Sequence, residues 1–499
     1  MEFIKKIGYD ICVSEENLQS PLPPRRIDAP EVPEAPMVSA PVAETVDKTT
    51  ISQQIQKQKE NFFKKNLVFI IVGAAVLLIV LLVMALRSRM SLPNAGKVEL
   101  NYWGIWEESG VMEGVIADFE AKNPNIKINY KKNNEENYKA RLQNKLSNSN
   151  EESDTDIPDI FRIHQSWIPM FNNDLAMVPT ETANKIGLET DFYETFKALK
   201  SGANYKAIPL MYDGLALFYN KSLIEAAGIG APKTWNDLRI AAEKVVKKEE
   251  FGGKIITAGV ALGSVNNVDH WSDVVGLMLK QGGVNPLKNS DDEKLKSVLL
   301  YYSLYRTQYG LWDETWPAST IAFANGNLGF YFAPSWRVFN LKDINANLSY
   351  EIVPVPQLEI ETGQVTDINW SSYWVEGVNA KSKHQKEAFK FLEYLASVEG
   401  LQKMFTLGSQ IRDFGQISPR KSMNSAMVSN PKIRPFVGAA ETGENWYLSS
   451  RTFDGGLNDE MIKYFGDAIN SIVNENKNAN DVVPILRSGI NQLKQRYSL

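Results

Sequence analysis

Beyond residue 97 the hydrophobic positions switch repeatedly between a period near two and a period near 3.6. Residues 98–103 read as a strand. Val111, Val115, Ile116 and Phe119 then form a helical stripe that stops at Asn123-Pro124. Ile126, Ile128 and Tyr130 alternate as a second strand, and Tyr138, Leu142 and Leu146 return to helical spacing. A polar, acidic loop at 147–156 leads into a third strand at 159–163. Strand, helix, strand, helix, strand predicts a parallel sheet with helices on both faces. The pattern resumes after Pro209. Residues 215–219 form a short apolar strand, and 222–227 a short helix with Gly228 placed as its left-handed terminator. Thr234 and Asp237 are spaced as a capping box ahead of Leu238, Ala241, Ala242 and Val245, and 255–262 is another strand. Near the C-terminus Ala388, Phe391, Leu392 and Leu395 share one helical face. No internal repeat of fixed short period occurs, which argues against solenoids and propellers. Open α/β sheets bind ligands beyond the carboxyl ends of their strands, so the residues after each strand are the ones to inspect.

A different pattern precedes this alternation. Residues 67–86 are twenty apolar residues without a charge, enough for a helix of ~30 Å, the thickness of a bilayer's hydrocarbon. No small-x-small site follows in Arg87-Ser88-Arg89-Met90 and no cysteine follows, so the run reads as an uncleaved, single-pass signal anchor. Five lysines lie in the twenty residues before it and three basic residues in the twenty after it, which favours a cytoplasmic N-terminus. Residues 1–66 carry seven prolines between Pro21 and Pro41 and read as a disordered, extended tail, with a short helix around 51–63.

Composition narrows the function. Of 499 residues 43% are hydrophobic and 23% charged, a globular balance. Of the 54 basic and 59 acidic residues, 11 and 10 lie in 1–89, leaving 43 and 49 in a mildly acidic body of 410 residues. Nucleic acid is therefore not an expected partner. Cys12 is the only cysteine, and His164, His270 and His384 lack metal-type spacing, so no disulfide framework, metal or cofactor is expected. There is no GxxxxGK[ST], GxSxG or HExxH, and no GxGxxG after a strand. All eleven tryptophans lie in the body, the first at Trp103.

Several segments in the right order carry a family resemblance. They are Phe119-Glu120-Ala121-Lys122-Asn123-Pro124 with Ile126-Lys127-Ile128, Pro158-Asp159-Ile160-Phe161, Ile208-Pro209, and Phe218-Tyr219-Asn220-Lys221. Ala227-Gly228 to Pro232-Lys233-Thr234-Trp235, Phe323-Ala324-Asn325-Gly326, Pro334-Ser335-Trp336, Gly377-Val378-Asn379-Ala380 and Ala388-Phe389-Lys390-Phe391-Leu392 follow. The body resembles the extracellular solute-binding proteins of ABC importers, in the sugar-binding branch that includes maltose-binding protein. The membrane anchor and long tail depart from that pattern. The resemblance implies the α/β periplasmic-binding-protein-like fold of type II, with two lobes closing like a hinge. Lobe 1 is expected from 97–211 and 375–430, lobe 2 from 212–374 and 431–499, with crossovers near 210–214, 371–375 and 430–435. It further implies two permease subunits and an ATPase as partners, and a domain working outside a bacterial cell, tethered to its membrane.

A sugar site needs flat apolar walls and buried hydrogen-bonding groups of fixed geometry, and carboxylates and amides suit hydroxyls. Trp106 and Glu107 follow the first strand, where the resemblance implies ligand contact; Trp103 reads as the end of the strand, in the core or at the ligand. His164, Gln165 and Trp167 follow the third strand, with Trp167 alternatively packed inward. Tyr212 and Asp213 sit in the first crossover, Asp213 alternatively as a hinge carboxylate bonded to backbone amides. Trp271 follows the polar loop 264–269, Trp336 belongs to the Pro-Ser-Trp segment that supplies a stacking platform in relatives, and Trp370 and Tyr373 lie at the second crossover. Trp374 is expected to point the other way along its strand into a core. Trp235, Trp312 and Trp316 read as structural.

Two other function classes compete. An anchored glycoside hydrolase would use Glu107 and Asp213 as its carboxylate pair, but facing sides of a moving cleft hold catalytic groups poorly. A tethered binding domain could also feed a sensor or adhesion system. Reversible carbohydrate binding without catalysis is the main expectation.

Overall fold

The computed structural model describes residues 97–148, 156–251, 253–361 and 363–499. The expected tail and membrane anchor at 1–66 and 67–86 lie outside these. Among the described residues no helix is long and apolar enough to cross a membrane.

The first half of the alternation folds as its pattern dictates. Strand β1 (Val98–Gly104) buries Leu100 and Tyr102. Helix α1 (Ser109–Lys122) buries the expected stripe, and Asn123 ends it by donating its side-chain amide to the Phe119 carbonyl at 2.9 Å. Then come β2 (Ile126–Lys132), α2 (Tyr138–Ser147) and β3 (Ile160–His164). After a short strand β4 (Ile208–Pro209) the chain enters a second sheet with β5 (Ala216–Asn220). Helix α3 (Lys221–Ala226) is followed by Gly228 at φ 64°, and α4 (Trp235–Val245) starts on the Thr234–Asp237 capping box. Strands β6 (Lys247–Lys248) and β7 (Ile255–Val260) precede α5 (Trp271–Gln281) and α6 (Asp292–Thr307). Strand β8 (Leu328–Ala333), α7 (Arg337–Ile344), β9 (Tyr350–Val353) and β10 (Asn369–Trp370) follow. The chain then re-enters the first sheet with β11 (Trp374–Val378), α8 (Gln385–Leu395) and α9 (Val398–Ile411). It ends with β12 (Gly443–Glu444), α10 (Leu457–Val473) and α11 (Ala479–Tyr497).

The two sheets have the orders β2-β1-β3-β11-β4 and β9-β5-β8-β7-β6. Neither is purely parallel, which corrects the expectation from the alternation. β1 runs parallel to β2 and β3, but β11 is antiparallel to β3 and β4. β7 and β8 are parallel, while β5, β6 and β9 pair antiparallel. The right-handed βαβ rule binds only strands joined by a helical crossover. β11 arrives from the other sheet through an extended passage, so its direction is free of that rule.

The passages between sheets run side by side. Leu215 N–H donates to the Trp370 carbonyl at 3.1 Å and Ser372 N–H to the Asp213 carbonyl at 2.9 Å. β12 adds a third passage by pairing with β10. The approach is so close that a Cβ on Gly214 would stand 2.1 Å from the Trp370 carbonyl oxygen, so only glycine fits there.

The first sheet also buries a charge. Arg162 on β3 is 1% exposed and donates to Glu107 and, at 2.6 Å, to Glu376 on β11. Tyr102 O–H donates to the same Glu376 oxygen at 2.8 Å. Burial raises the Glu376 carboxyl above its ordinary range. Burial works the same way on Glu107, but the Arg162 guanidinium overrides it and holds that carboxyl low. Removing one partner of a buried ion network strands the others. Arg162→Leu is therefore expected to cost about 3–5 kcal/mol of stability, read by urea denaturation; an unchanged midpoint would remove this network from the fold's supports.

Candidate functional site

A cavity of about 710 Å³ opens between the two sheets, lined from both. Its walls come from the positions the strand-end rule singles out. Trp106 follows β1, His164 ends β3, Asp269 and His270 lie beyond β7, and Ser335 and Trp336 follow β8. Asp213 and Ser372 enter from the passages between the sheets.

Asp213 is the joint of the site. Its Oδ1 accepts from the N–H groups of Gly214 at 2.8 Å and Ser335 at 3.0 Å, and Oδ2 accepts from Ser335 Oγ at 2.9 Å. Burial pushes its carboxyl up to about 7 against the opposing pull of those three donors. It thus lines the cavity and also ties the crossover to the Pro-Ser-Trp segment.

Trp336 is half-buried on the cavity wall, edge-on to His270 at 5.7 Å, with the Arg337 guanidinium 4.5 Å from its ring centre. On the opposite wall Trp106 meets Trp374 edge-on at 5.6 Å, and Trp374 meets His164 at 5.4 Å. Burial pushes the His164 imidazole down to about 3, so it is neutral; Nδ1 and Nε2 contact the hydroxyls of Ser166 and Ser372 at 2.8 and 3.0 Å.

The structure does not bring all the expected residues to this cavity. Glu107 is committed to Arg162 and accepts from Gln416 at 3.1 Å; it faces a separate hollow of about 500 Å³. Trp167 is buried and stacked on Phe171, and Gln165 is buried beside it in sequence without lining the cavity. Tyr212 packs edge-on to Tyr193 at 5.3 Å. Trp271 packs toward Gly466 of α10. Tyr373 is buried with its O–H donating to the Thr195 carbonyl at 3.0 Å, while Trp374 faces the cavity. That reverses the expected assignment of the two, because the alternation along a strand flips with one residue of phase. Trp370 reaches the cavity, but its ring is fully buried, with Nε1 donating to Asp273 at 2.9 Å. Trp103 is buried against Tyr138, and Trp235 and Trp312 are buried with bonded indoles, Trp316 stacking on Trp312.

Other groups were not singled out from the sequence. Asp269 accepts from Thr320 N–H at 2.9 Å and pairs with Arg451 at 3.1 Å and Arg337 at 3.3 Å. Burial opposes its ionisation, yet Arg337 and Thr320 hold the carboxyl at about 2. His270 accepts from Arg337 Nε at 2.9 Å and contacts Ser450 Oγ at 2.8 Å. The strand-end rule would have found Asp269 and His270. Arg412 and Phe414 follow helix α9, and no strand-end signal marks them. Phe414 meets Phe339 of α7 across the cleft at 4.7 Å. Among the described residues no group of three His, Cys, Asp or Glu side chains is arranged for a metal ion.

Comparison with known proteins adds the following. The model of the bacterial extracellular solute-binding protein family matches residues 114–435. A multiple sugar-binding protein of Streptococcus mutans serotype c is 23% identical over 429 residues, covering 82% of this chain and 97% of its own. The sugar-binding protein MalE from Xanthomonas citri superposes with a TM-score of 0.64 at 18% identity, covering 80% of this chain and 98% of that one. A solute-binding protein from Thermotoga lettingae, bound with α-D-tagatose, gives 0.59 at 16% identity, covering 79% and 99%. At these identities the structural likeness speaks to the fold alone.

The raised Asp213 carboxyl makes a pH prediction. The folded state holds this proton up to about pH 7, whereas an unfolded Asp releases it near pH ~3.9. The group's contribution to stability is therefore fullest below pH ~4 and falls as pH rises towards 7. Asp213→Asn has no such proton. The stability of the parent relative to this variant should decline by roughly 3–4 kcal/mol between pH 4 and 8 in denaturation curves. A difference independent of pH would mean Asp213 is ionised throughout.

Proposed function

The chain belongs to the bacterial extracellular solute-binding proteins, and from that premise we propose that it binds a carbohydrate reversibly between two lobes and hands it to an ABC permease driven by an ATPase. The observation that carries the carbohydrate is the wall chemistry of the cavity. Three indoles, Trp106, Trp336 and Trp374, offer flat apolar faces, and Asp213, Asp269 and His270 lie among them. Flat C–H faces of a pyranose stack on such rings while its hydroxyls exchange hydrogen bonds with the polar groups. The names of the relatives, which include a multiple sugar-binding protein, support the same class. A volume of about 710 Å³ lies within the ~300–1,000 Å³ of small-molecule clefts.

The lobes divide near 211/212 and 374/375, with the paired passages at 213–215 and 370–372 serving as the hinge, and we place the third division, expected at 430/431, at β12, which pairs with β10. Contacts that a ligand makes to both lobes favour the closed state. Residues 67–86 anchor the chain in the cell membrane by a single pass with the N-terminus cytoplasmic, and the body works outside. Binding without catalysis is favoured by the fate of the two carboxylates a hydrolase would need. Glu107 is locked to Arg162, and Asp213 is bonded to three donors of its own chain.

A thermal-shift screen of the full-length protein against saccharides, amino acids and polyamines tests the class, since a bound ligand raises the midpoint by mass action. Stabilisation by amino acids or polyamines alone would overturn the reading. With a binding saccharide in hand, Trp336→Ala is expected to weaken affinity by roughly 1–3 kcal/mol in calorimetry, the loss of one large contact. Unaltered affinity would take Trp336 out of the site.

A further inference from the structure

Three arginines line the cavity, and they differ in what they are bonded to. Arg337 is engaged by His270, by Asn340 at 3.3 Å and by Asp269, and Arg451 is paired with Asp269. Arg412 has no such partners. Its guanidinium lies over the Phe339 ring at 5.2 Å, the residue is half-buried, and among the described residues its side chain forms no hydrogen bond and no ion pair. Its Nε is withdrawn from solvent without an acceptor.

Burial pulls the Arg412 guanidinium below its ordinary range, and the carboxylates that oppose this are Glu107 and Glu108. Both are already engaged, Glu107 by Arg162 and Glu108 by Lys132 at 2.6 Å. The carboxylates Glu135 and Asp343 at the cavity's rim are not among the groups that act on it. An arginine does not deprotonate, so the cleft holds in Arg412 a cation to which no carboxylate is bonded. A half-buried, unpaired cation is costly, and an anion entering the cleft removes that cost.

We propose that the solute is an acidic saccharide, whose carboxylate is gripped by Arg412 while its rings lie against the indoles. This rests on the carbohydrate reading above and narrows it. The planar fork of a guanidinium matches a carboxylate in bidentate geometry. One free guanidinium balances the single charge of a uronate. A phosphate monoester brings about −1.5 to −2 and would draw on a second cation; Arg337 and Arg451 share the one Asp269 carboxylate, so the sugar-phosphate probes below decide between the two anions.

The test uses the full-length protein and three matched probe sets: di- and trigalacturonate with cellobiouronate, their carboxyl-reduced neutral counterparts, and maltose 1-phosphate with glucose 1-phosphate. Uronates are expected to bind at least ten-fold tighter than their neutral counterparts. Arg412→Gln should abolish that ratio and Arg412→Lys restore part of it. Trp336→Ala should weaken acidic and neutral probes alike, which separates loss of the charge contact from loss of the site. Neutral saccharides binding as tightly as uronates, with Arg412→Gln inert, would overturn the proposal and leave the carbohydrate reading in place. Sugar phosphates outranking uronates would overturn the carboxylate assignment. Failure of every saccharide set to raise the melting midpoint would sink the carbohydrate reading itself, and this proposal with it.

Discussion

Two stretches of backbone, 213–215 and 370–372, are hydrogen-bonded to each other where the sheets meet. Much of the molecule follows from that contact. It admits only glycine at position 214, because any side chain there would collide with the Trp370 carbonyl. It turns the Trp370 ring into the packing around α5, where Nε1 finds Asp273, and it presents Asp213 and Ser372 to the cavity. The Asp213 carboxylate then reaches the Ser335 backbone, so the segment bearing Trp336 is held to the same joint. The same joint therefore carries the polar centre of the cavity and both backbone passages between the sheets.

The alternation of strands and helices was legible because each element carries its own period and its own ends. The capping box at Thr234 and the stop at Asn123 are local events, written in a few neighbouring residues. The direction of β11 was not legible. Nothing in Trp374–Val378 marks a strand that returns from the other sheet, and the helix-connected rule that would make it parallel does not apply. The phase of that strand was equally hidden. Tyr373 and Trp374 are both large aromatics, and only their neighbours in space decide which faces inward.

The site was legible in part. The strand-end rule led to Trp106, His164, Asp213 and Trp336, which the structure brings to one cavity. It also led to residues whose chemistry serves a core as well as a ligand. Trp167, Tyr212 and Tyr373 have large apolar bodies, and each found an aromatic partner inside its own sheet's packing. Glu107 was drawn away by Arg162, a cation buried in a strand whose neighbours are otherwise apolar. Reading Phe161-Arg162-Ile163 as a buried charge would have required knowing that two carboxylates, 55 and 214 residues away, converge on it. Arg412 follows a helix, so a rule about strands has no purchase on it.

The balance of donors and acceptors in the cavity says what a ligand must bring. The carboxylates that line its interior are satisfied by the chain: Asp213 by Gly214 and Ser335, Asp269 by Thr320 and two arginines, Asp273 by Trp370 and Ser450. Both imidazoles have hydroxyl contacts. Among the described residues, the withdrawn polar atoms left over on the cavity-lining side chains are Trp106 Nε1, Arg337 Nη2 and Arg412 Nε. Arg337 Nη2 lies 3.3 Å from Asp269, close enough for an ion pair but not aligned for a hydrogen bond. All three are N–H donors. A donor withdrawn from solvent without a partner costs about 1–3 kcal/mol, and an acceptor oxygen relieves that cost. A ligand of donors, such as a polyamine, would find its counterparts already taken. Acceptor oxygens are the complement of these donors, which stand on both walls, from Trp106 on one sheet to Arg337 on the other.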